Sequence, residues 1–448
     1  MQALKKGMVI PMKKKNILLL SLACFASLVL LCGLLIYAFK LQNRQDEVDE
    51  RNQETSDNRN DAVDNNSDDD SKEPGKDNLD DPNKEPGNDN SDDQNKGSGS
   101  DGEKKESETS PEDSDSKNND GSVAGDTNEN MDRPIVLGFA GDINFDEESK
   151  PVARYDRESK GILGGLSKDL VEEMNAADIM MLNNEFAYST RGTKTPDKSY
   201  TFRADPSRVD ILHEMGVDIV SLANNHALDY GPDALMDTFT TLEEAGIDYV
   251  GAGKNLARAE APVYYTVGGK KIAFLASSKV IFDMSWYASE NSPGMVGTYD
   301  PAPLIKEIKK ASENSDYVVV FVHWGVERND YPEKYQRDFA KKYIDAGADI
   351  VVGCHPHVMQ GFELYKGKPI AYSLGNFWFN NSHRESGLLK IYVDPDDTLR
   401  MQILPAMGKD TYTYLLTEEK DRKSYFEYME KISFNVTIDK DGFIKAKE

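Results

Sequence analysis

From residue 133 onward, apolar and polar positions follow two alternating rhythms. Short apolar runs, "PIVLGFAGD" (134–142), "DIMMLNNE" (178–185), "VDIVSLANNH" (217–226), "KKIAFLASS" (270–278), "DYVVVFVHWG" (316–325) and "DIVVGCHPH" (349–357), read as buried strands. Between them lie stretches of helical periodicity, "LSKDLVEEMNAA" (166–177), "DPSRVDILHEMG" (205–216) and "GPDALMDTFTTLEEAG" (231–246). The last has Pro232 near its start and Gly246 after its end, as a helix should. Strand–helix alternation predicts an α/β layered fold with helices outside the sheets. The closing "SFNVTIDKDGFIKAK" (433–447) alternates with period two and predicts an edge hairpin turning at residues 440–442.

The first 132 residues differ from this pattern. Residues 16–39 form an almost unbroken apolar run, long enough to span a bilayer as a helix. Lys5, Lys6, Lys13, Lys14 and Lys15 precede it, which predicts a cytoplasmic N-terminus (1–15) and an outward-facing remainder. Cys24 and Cys32 each meet one requirement of a lipidation site and fail the other, so 16–39 is read as an uncleaved anchor. Residues 41–132 carry 30 acidic against 10 basic residues and no aromatic, so 40–132 is read as a disordered acidic linker. That linker holds most of the net charge of −26. The expected folded domain, 133–448, shows no basic face, so no nucleic-acid partner is expected.

Candidate ligands sit where the predicted strands end: Asp142, Glu185, Asn225 with His226, His323, and His355 with His357. Sites in α/β folds gather at the carboxyl ends of strands. Imidazoles and carboxylates are the usual ligands of borderline divalent metals. Taken singly, each motif has a plainer reading as a turn, a cap or a core histidine; together they predict one rim. His355 and His357 flank Pro356, and an extended backbone would aim both imidazoles the same way. The same alternation puts Cys354 on the opposite side, as a small buried residue under the site. His213 and His383 lack strand-end positions and are read as surface or packing residues, with His383 in a polar loop.

The set "GFAGDINF", "MLNNEFAYST", "GVDIV", "SLANNHALDYG", "FVHWGVE" and "GCHPHVMQGFELYKGKPIAYSLGNFWF" resembles the CapA (PgsA-like) family of capsule and poly-γ-glutamate biosynthesis proteins, over residues 134–380. That family resembles a branch of the calcineurin-like metallophosphoesterases. The resemblance implies two β-sheets packed face to face with flanking helices, and the transmembrane helix read at the N-terminus, ahead of the acidic stalk, fits it. It implies two divalent ions (Mn, Fe or Zn): Asp142 and His357 on the first, Asn225, His323 and His355 on the second, Glu185 as the bridging carboxylate and His226 as general acid or phosphate-contacting residue. It also implies Asn144, Asn184, Glu327 and Asn376 as residues that orient the ligands. Asn144 stands where the superfamily has a histidine, and Glu185 where it has an aspartate. Two readings follow: an outward-facing metal-dependent hydrolase or transferase, or a non-catalytic subunit of a polymer synthase and exporter that binds anionic polymer at the membrane.

Overall fold

The computed structural model describes residues 133–380 and 383–447. The expected anchor (16–39) and acidic linker lie outside the described residues. Among the described residues, no helix is long and apolar enough to cross a membrane.

Eight strands carry the argument: β1 (Ile135–Ile143), β2 (Ile179–Asn184), β3 (Ile219–Ser221), β4 (Lys270–Ser278), β5 (Tyr317–His323), β6 (Ile350–Cys354), β7 (Lys368–Leu374) and β8 (His383–Val393). The first sheet runs Val436–Ile438, Phe443–Ala446, Leu399–Lys409, β8, β1, β2, β3, Asp248–Val250. The second runs Met359–Tyr365, β7, β6, β5, β4, Val263–Val267. β1, β2 and β3 are mutually parallel, and so are β4, β5 and β6. Their carboxyl ends therefore point to common rims.

Alternation along the strands builds the layers. Leu137, Phe139, Ile179 and Met181 of the first sheet share one core with Phe274, Val319, Phe321, Ile350 and Val352 of the second. The opposite face of the first sheet packs Met180, Leu182 and Val220 against helix residues Leu170, Met174, Leu235, Phe239 and Leu242. The opposite face of the second packs Val318, Val320 and Val322 against Leu304, Ile308, Ala340 and Tyr343. These strands read as continuous apolar runs because both of their faces are buried. The expected pair of sheets with flanking helices is present.

Boundaries differ in informative places. The run 217–226 is strand only over Ile219–Ser221; the rest is the loop that carries Asn224, Asn225 and His226. The stretch 205–216 is a 3-10 turn, Pro206–Val209, followed by the helix Asp210–Glu214. His383 opens β8 instead of lying in a loop. The closing hairpin pairs Val436–Ile438 with Phe443–Ala446 at the edge of the first sheet, as the pattern predicts.

One irregularity decides where the site can form. Between Phe139 and Asp142, β1 advances three residues while its partner β2 advances two. The bulge reverses the parity of β1, so Asp142 faces the second sheet although Ile143 beyond it packs outward. At the bulge the backbone of Gly375, leaving β7, comes so close that a Cβ on Gly141 would lie 1.9 Å from the Gly375 carbonyl oxygen. The same carbonyl accepts the Asp142 N–H at 2.8 Å. Gly141→Ala should therefore destabilise the fold by about 2 kcal/mol or more, as overpacking of a close contact does, and displace the Asp142 carboxylate. Urea unfolding and metal titration of the variant check both effects.

Candidate metal centre

The strand ends bring Asp142, Glu185, Asn225, His226, His323, His355 and His357 into one buried cluster. Asp142, Glu185 and His323 are fully buried, while His226 and His355 are nearly so. Glu185 lies at its centre. Its Oε1 is buried and has no hydrogen-bond partner among the described residues. Around that oxygen stand the Nε2 atoms of His323 at 3.8 Å and of His226 and His357 at 3.9 Å each. An orphaned buried carboxylate oxygen costs free energy unless a cation or proton meets it.

The remaining contacts sort into two groups that share Glu185. His357 Nδ1 lies 3.4 Å from Asp142 Oδ2 and 2.7 Å from Asn376 Oδ1. On the other side, His323 Nε2 lies 2.7 Å from Asn225 Oδ1 and 3.1 Å from His355 Nδ1. Glu185, His355 and His357 offer ligand atoms within 4.8 Å of one another, and so do Asp142, His323 and Cys354. The donor chemistry of nitrogen, oxygen and one sulfur suits a borderline divalent metal.

The charges respond to this crowding. Burial, reinforced by the Asp142 charge, raises the Glu185 carboxyl well above its ordinary range. Burial and the neighbouring His355 and His357 push His323 well down, and burial with His357 takes His355 down to about 3. Both imidazoles are thus neutral and ready to ligate. His357 goes the other way: burial lowers it, but the Glu185 and Asp142 carboxylates outweigh that and push it up to about 10. One protonated imidazole cannot satisfy two buried carboxylates and the ring of neutral imidazoles as a divalent cation would.

His355 and His357 reach the rim by a different route from the extended backbone expected of them. β6 ends at Cys354, and the two histidines take φ of +101° and +57°. Left-handed backbone in residues with a Cβ costs on the order of 1–3 kcal/mol each and persists only where the surroundings impose it. Here the Pro356 carbonyl accepts the Arg328 N–H at 2.8 Å, and the His355 N–H points to Asp142 Oδ2 at 3.4 Å. Cys354 is also displaced from expectation. It is buried, but it faces the same inter-sheet core as His323, with Sγ 3.2 Å from His323 Nδ1.

Four residues that support the cluster escape a motif reading. Asn183 Nδ2 donates to Asp142 Oδ1 at 2.8 Å and reaches Glu185 Oε2 at 3.4 Å. Asn224 donates to Asn183 Oδ1 at 3.1 Å and accepts the His226 N–H at 3.0 Å. Asp229 Oδ2 lies 2.7 Å from His226 Nδ1 and also accepts the Phe202 N–H at 2.7 Å. Lys198, nearly buried, donates to Asp229 and to the Asn225 carbonyl at 2.7 Å. Strand parity was the available signal for Asn183, which lies two residues after Met181 on the inward face.

Other expected orienting residues sit apart. Asn184 points outward, where its amide donates to the Phe186 carbonyl at 2.8 Å. Asn144 is buried, and its Oδ1 accepts the Asp146 N–H at 2.8 Å. Glu327 is exposed on the cleft above the cluster and makes no hydrogen bond to the imidazoles among the described residues. Asn376 does hold His357, as given above. His213 is exposed on its short helix.

Two packed sheets thus carry a buried carboxylate–imidazole cluster at their strand ends, with groups that could hold a metal ion. The family of bacterial capsule synthesis proteins, PGA_cap, matches residues 136–381, and the chain belongs to it. The capsule biosynthesis protein CapA of Bacillus anthracis is 35% identical over 242 residues, covering 52% of this chain and 58% of that protein. The PGA biosynthesis protein CapA of Bacillus subtilis is 37% identical over 216 residues, covering 47% and 56%. The matched region thus spans little more than half the length of these relatives. A phosphatase of known structure from Mycoplasma pneumoniae aligns with a TM-score of 0.39 at 12% identity, over 61% of this chain and 94% of that one. A likeness that loose carries no argument.

Asn183→Ala removes the amide that holds the Asp142 carboxylate and should weaken divalent-metal affinity about 10–100-fold, the usual cost of losing a ligand's supporting hydrogen bond. Asn184→Ala should leave that affinity nearly unchanged. Competitive metal titration of the two variants separates the two asparagines.

Proposed function

We propose that this chain is a membrane-anchored, outward-facing protein of capsule-polymer synthesis or export, built around a divalent metal centre that meets an anionic polymer of the poly-γ-glutamate type. Glu185 Oε1, without a hydrogen-bond partner among the described residues and with the Nε2 atoms of His323 and His357 at 3.8 and 3.9 Å, carries the metal reading. Membership of the capsule synthesis family supports the polymer, and the apolar run 16–39 with its preceding lysines supports the anchor. Synthase and export subunits in the same membrane are the expected partners. Asp142, Glu185, Asn225, His323, His355 and His357 would hold one or two ions of Mn, Fe or Zn. Such ions supply Lewis-acid polarisation of a bound carbonyl or phosphoryl oxygen.

One arrangement favours a catalytic form of this reading, a metal-dependent phosphoesterase or a hydrolase or transferase of the polymer. His226 Nδ1 lies 2.7 Å from Asp229 Oδ2 and 3.0 Å from Lys198 Nζ, so that edge of the ring is held within the protein. Nε2, on the Glu185 side of the ring, is left to exchange a proton with a substrate. Phe202 stacks on the imidazole at 4.3 Å between ring centres and fixes its plane. Lys198 also pairs with Asp229 beside the imidazole. Burial pulls the His226 pKa down, opposed by Asp229, so the ring is a neutral base at neutral pH.

The test uses the full-length chain. Elemental analysis should find near-stoichiometric divalent metal, lost on His355→Ala with His357→Ala and retained on His226→Ala. In a strain lacking the native gene, the double variant should fail to restore polymer. If the site is catalytic, His226→Ala should also fail and should slow hydrolysis of a generic phosphoester or of the polymer about 10²–10⁴-fold. Normal polymer from His226→Ala would assign the centre a binding role; a metal-free wild-type chain that still restores polymer would sink the metal reading.

A further inference from the structure

We infer that the metal cleft continues into a second, cationic cavity that holds the incoming length of an anionic polymer, a site outside the metal centre. The inference rests on the polymer reading above. Over the cluster lies a cleft of about 360 Å³ lined by His226, His357, Phe202 and Phe379, with Arg328 and Arg384 against one carboxylate residue, Glu327. Next to it is a cavity of about 400 Å³ lined by Lys150, Arg154 and Arg157, with one carboxylate residue, Asp410. Asn380 lines both, so the two adjoin at that residue. Asn380 is itself held: its Oδ1 accepts the Lys150 N–H at 3.0 Å.

The cations of this path are not used up within the fold. Among the described residues, no ion pair is formed by Lys150, Arg154, Arg328 or Arg384. Arg154 is braced by neutral groups, donating to the carbonyls of Gly164 at 2.6 Å and Asp410 at 3.0 Å, and lies over the Tyr412 ring at 4.7 Å. Arg157 has only its neighbour Glu158, at 3.4 Å in an exposed pair, which adds little. A chain with a net charge of −26 thus keeps five cations along one path that ends at the metal cluster. Uncompensated cations along a groove attract a polyanion and set its direction. The occupant that fits is a flexible polycarboxylate. The arginines offer forked donors to successive carboxylates, and the cleft walls accept its methylenes.

Lys150→Glu with Arg157→Glu tests this in the full-length chain, since both side chains are exposed. Binding is measured for the di-γ-glutamate dimer and for long poly-γ-glutamate. The wild type should bind the long chain more tightly than the dimer, because the second cavity adds effective concentration. The double variant should lose about tenfold of the long-chain affinity and flatten its salt dependence, while the dimer's affinity stays as in the wild type. Equal long-chain affinity in variant and wild type overturns the second cavity and leaves the polymer reading standing. A wild type that gains nothing from length also overturns it, whether the path is idle or filled by the chain's own acidic residues 41–132. A wild type that binds neither ligand overturns both, as does binding of a phosphate polymer with none of polyglutamate.

Discussion

A fully buried carboxylate with an oxygen that nothing among the described residues satisfies is the constraint on which the rest of this structure depends. Glu185 arrives at its position because β2 is buried on both faces, so nothing at its end is solvated. Desolvation alone would force a proton onto it. The imidazoles of His323 and His357, whose nitrogens lie 3.8 and 3.9 Å from the same oxygen, offer the alternative, a shared cation. Most of the other polar groups nearby can be understood as holding those imidazoles and the second carboxylate, Asp142, at that distance. Asn183 holds Asp142, Asn376 holds His357, Asn224 braces Asn183, and Asp229 with Lys198 holds the Nδ1 edge of His226.

The layered architecture supplies what loops alone would not. Each of the two parallel groups of strands contributes ligands at its carboxyl ends, and the inter-sheet core keeps the two rims facing each other. Gly375, at the exit of β7, presses its carbonyl into the notch left by Gly141. The chain then runs on as Asn376–Trp378 beside β1, with Asn376 opposite Asp142. One backbone crossing thus ties the second sheet to the first and sets down a ligand and the residue that orients its partner histidine.

The layers and the strand-end rim were legible in the sequence because both depend on periodicity and on where it stops. β4 and α-helical 232–245 could be read almost to the residue. What periodicity could not show was its own interruption. The bulge at Asp142 and the left-handed turns at His355 and His357 follow from contacts with distant backbone, at Gly375 and Arg328, which no local pattern encodes. Lys198 and Asp229 were invisible for a related reason. A lysine in "TPDKSYTF" and an aspartate in "HALDYG" look like solvated loop residues until folding buries them against His226. Asn183 could have been found, since alternation from Met181 selects it over Asn184.

The thiol beside His323 has a consequence for which ion the centre accepts. With Cys354 Sγ 3.2 Å from a ligand imidazole, the inner wall of the site is soft on one side and hard, through Asp142 and Glu185, on the other. Burial and both carboxylates hold that thiol's pKa well above its ordinary value, so sulfur joins the ligands only for an ion strong enough to displace its proton. A thiophilic ion such as zinc gains from that exchange and a hard ion such as manganese does not. In a cluster of this make-up the cysteine would tilt the donor set towards a thiophilic ion and away from a hard one.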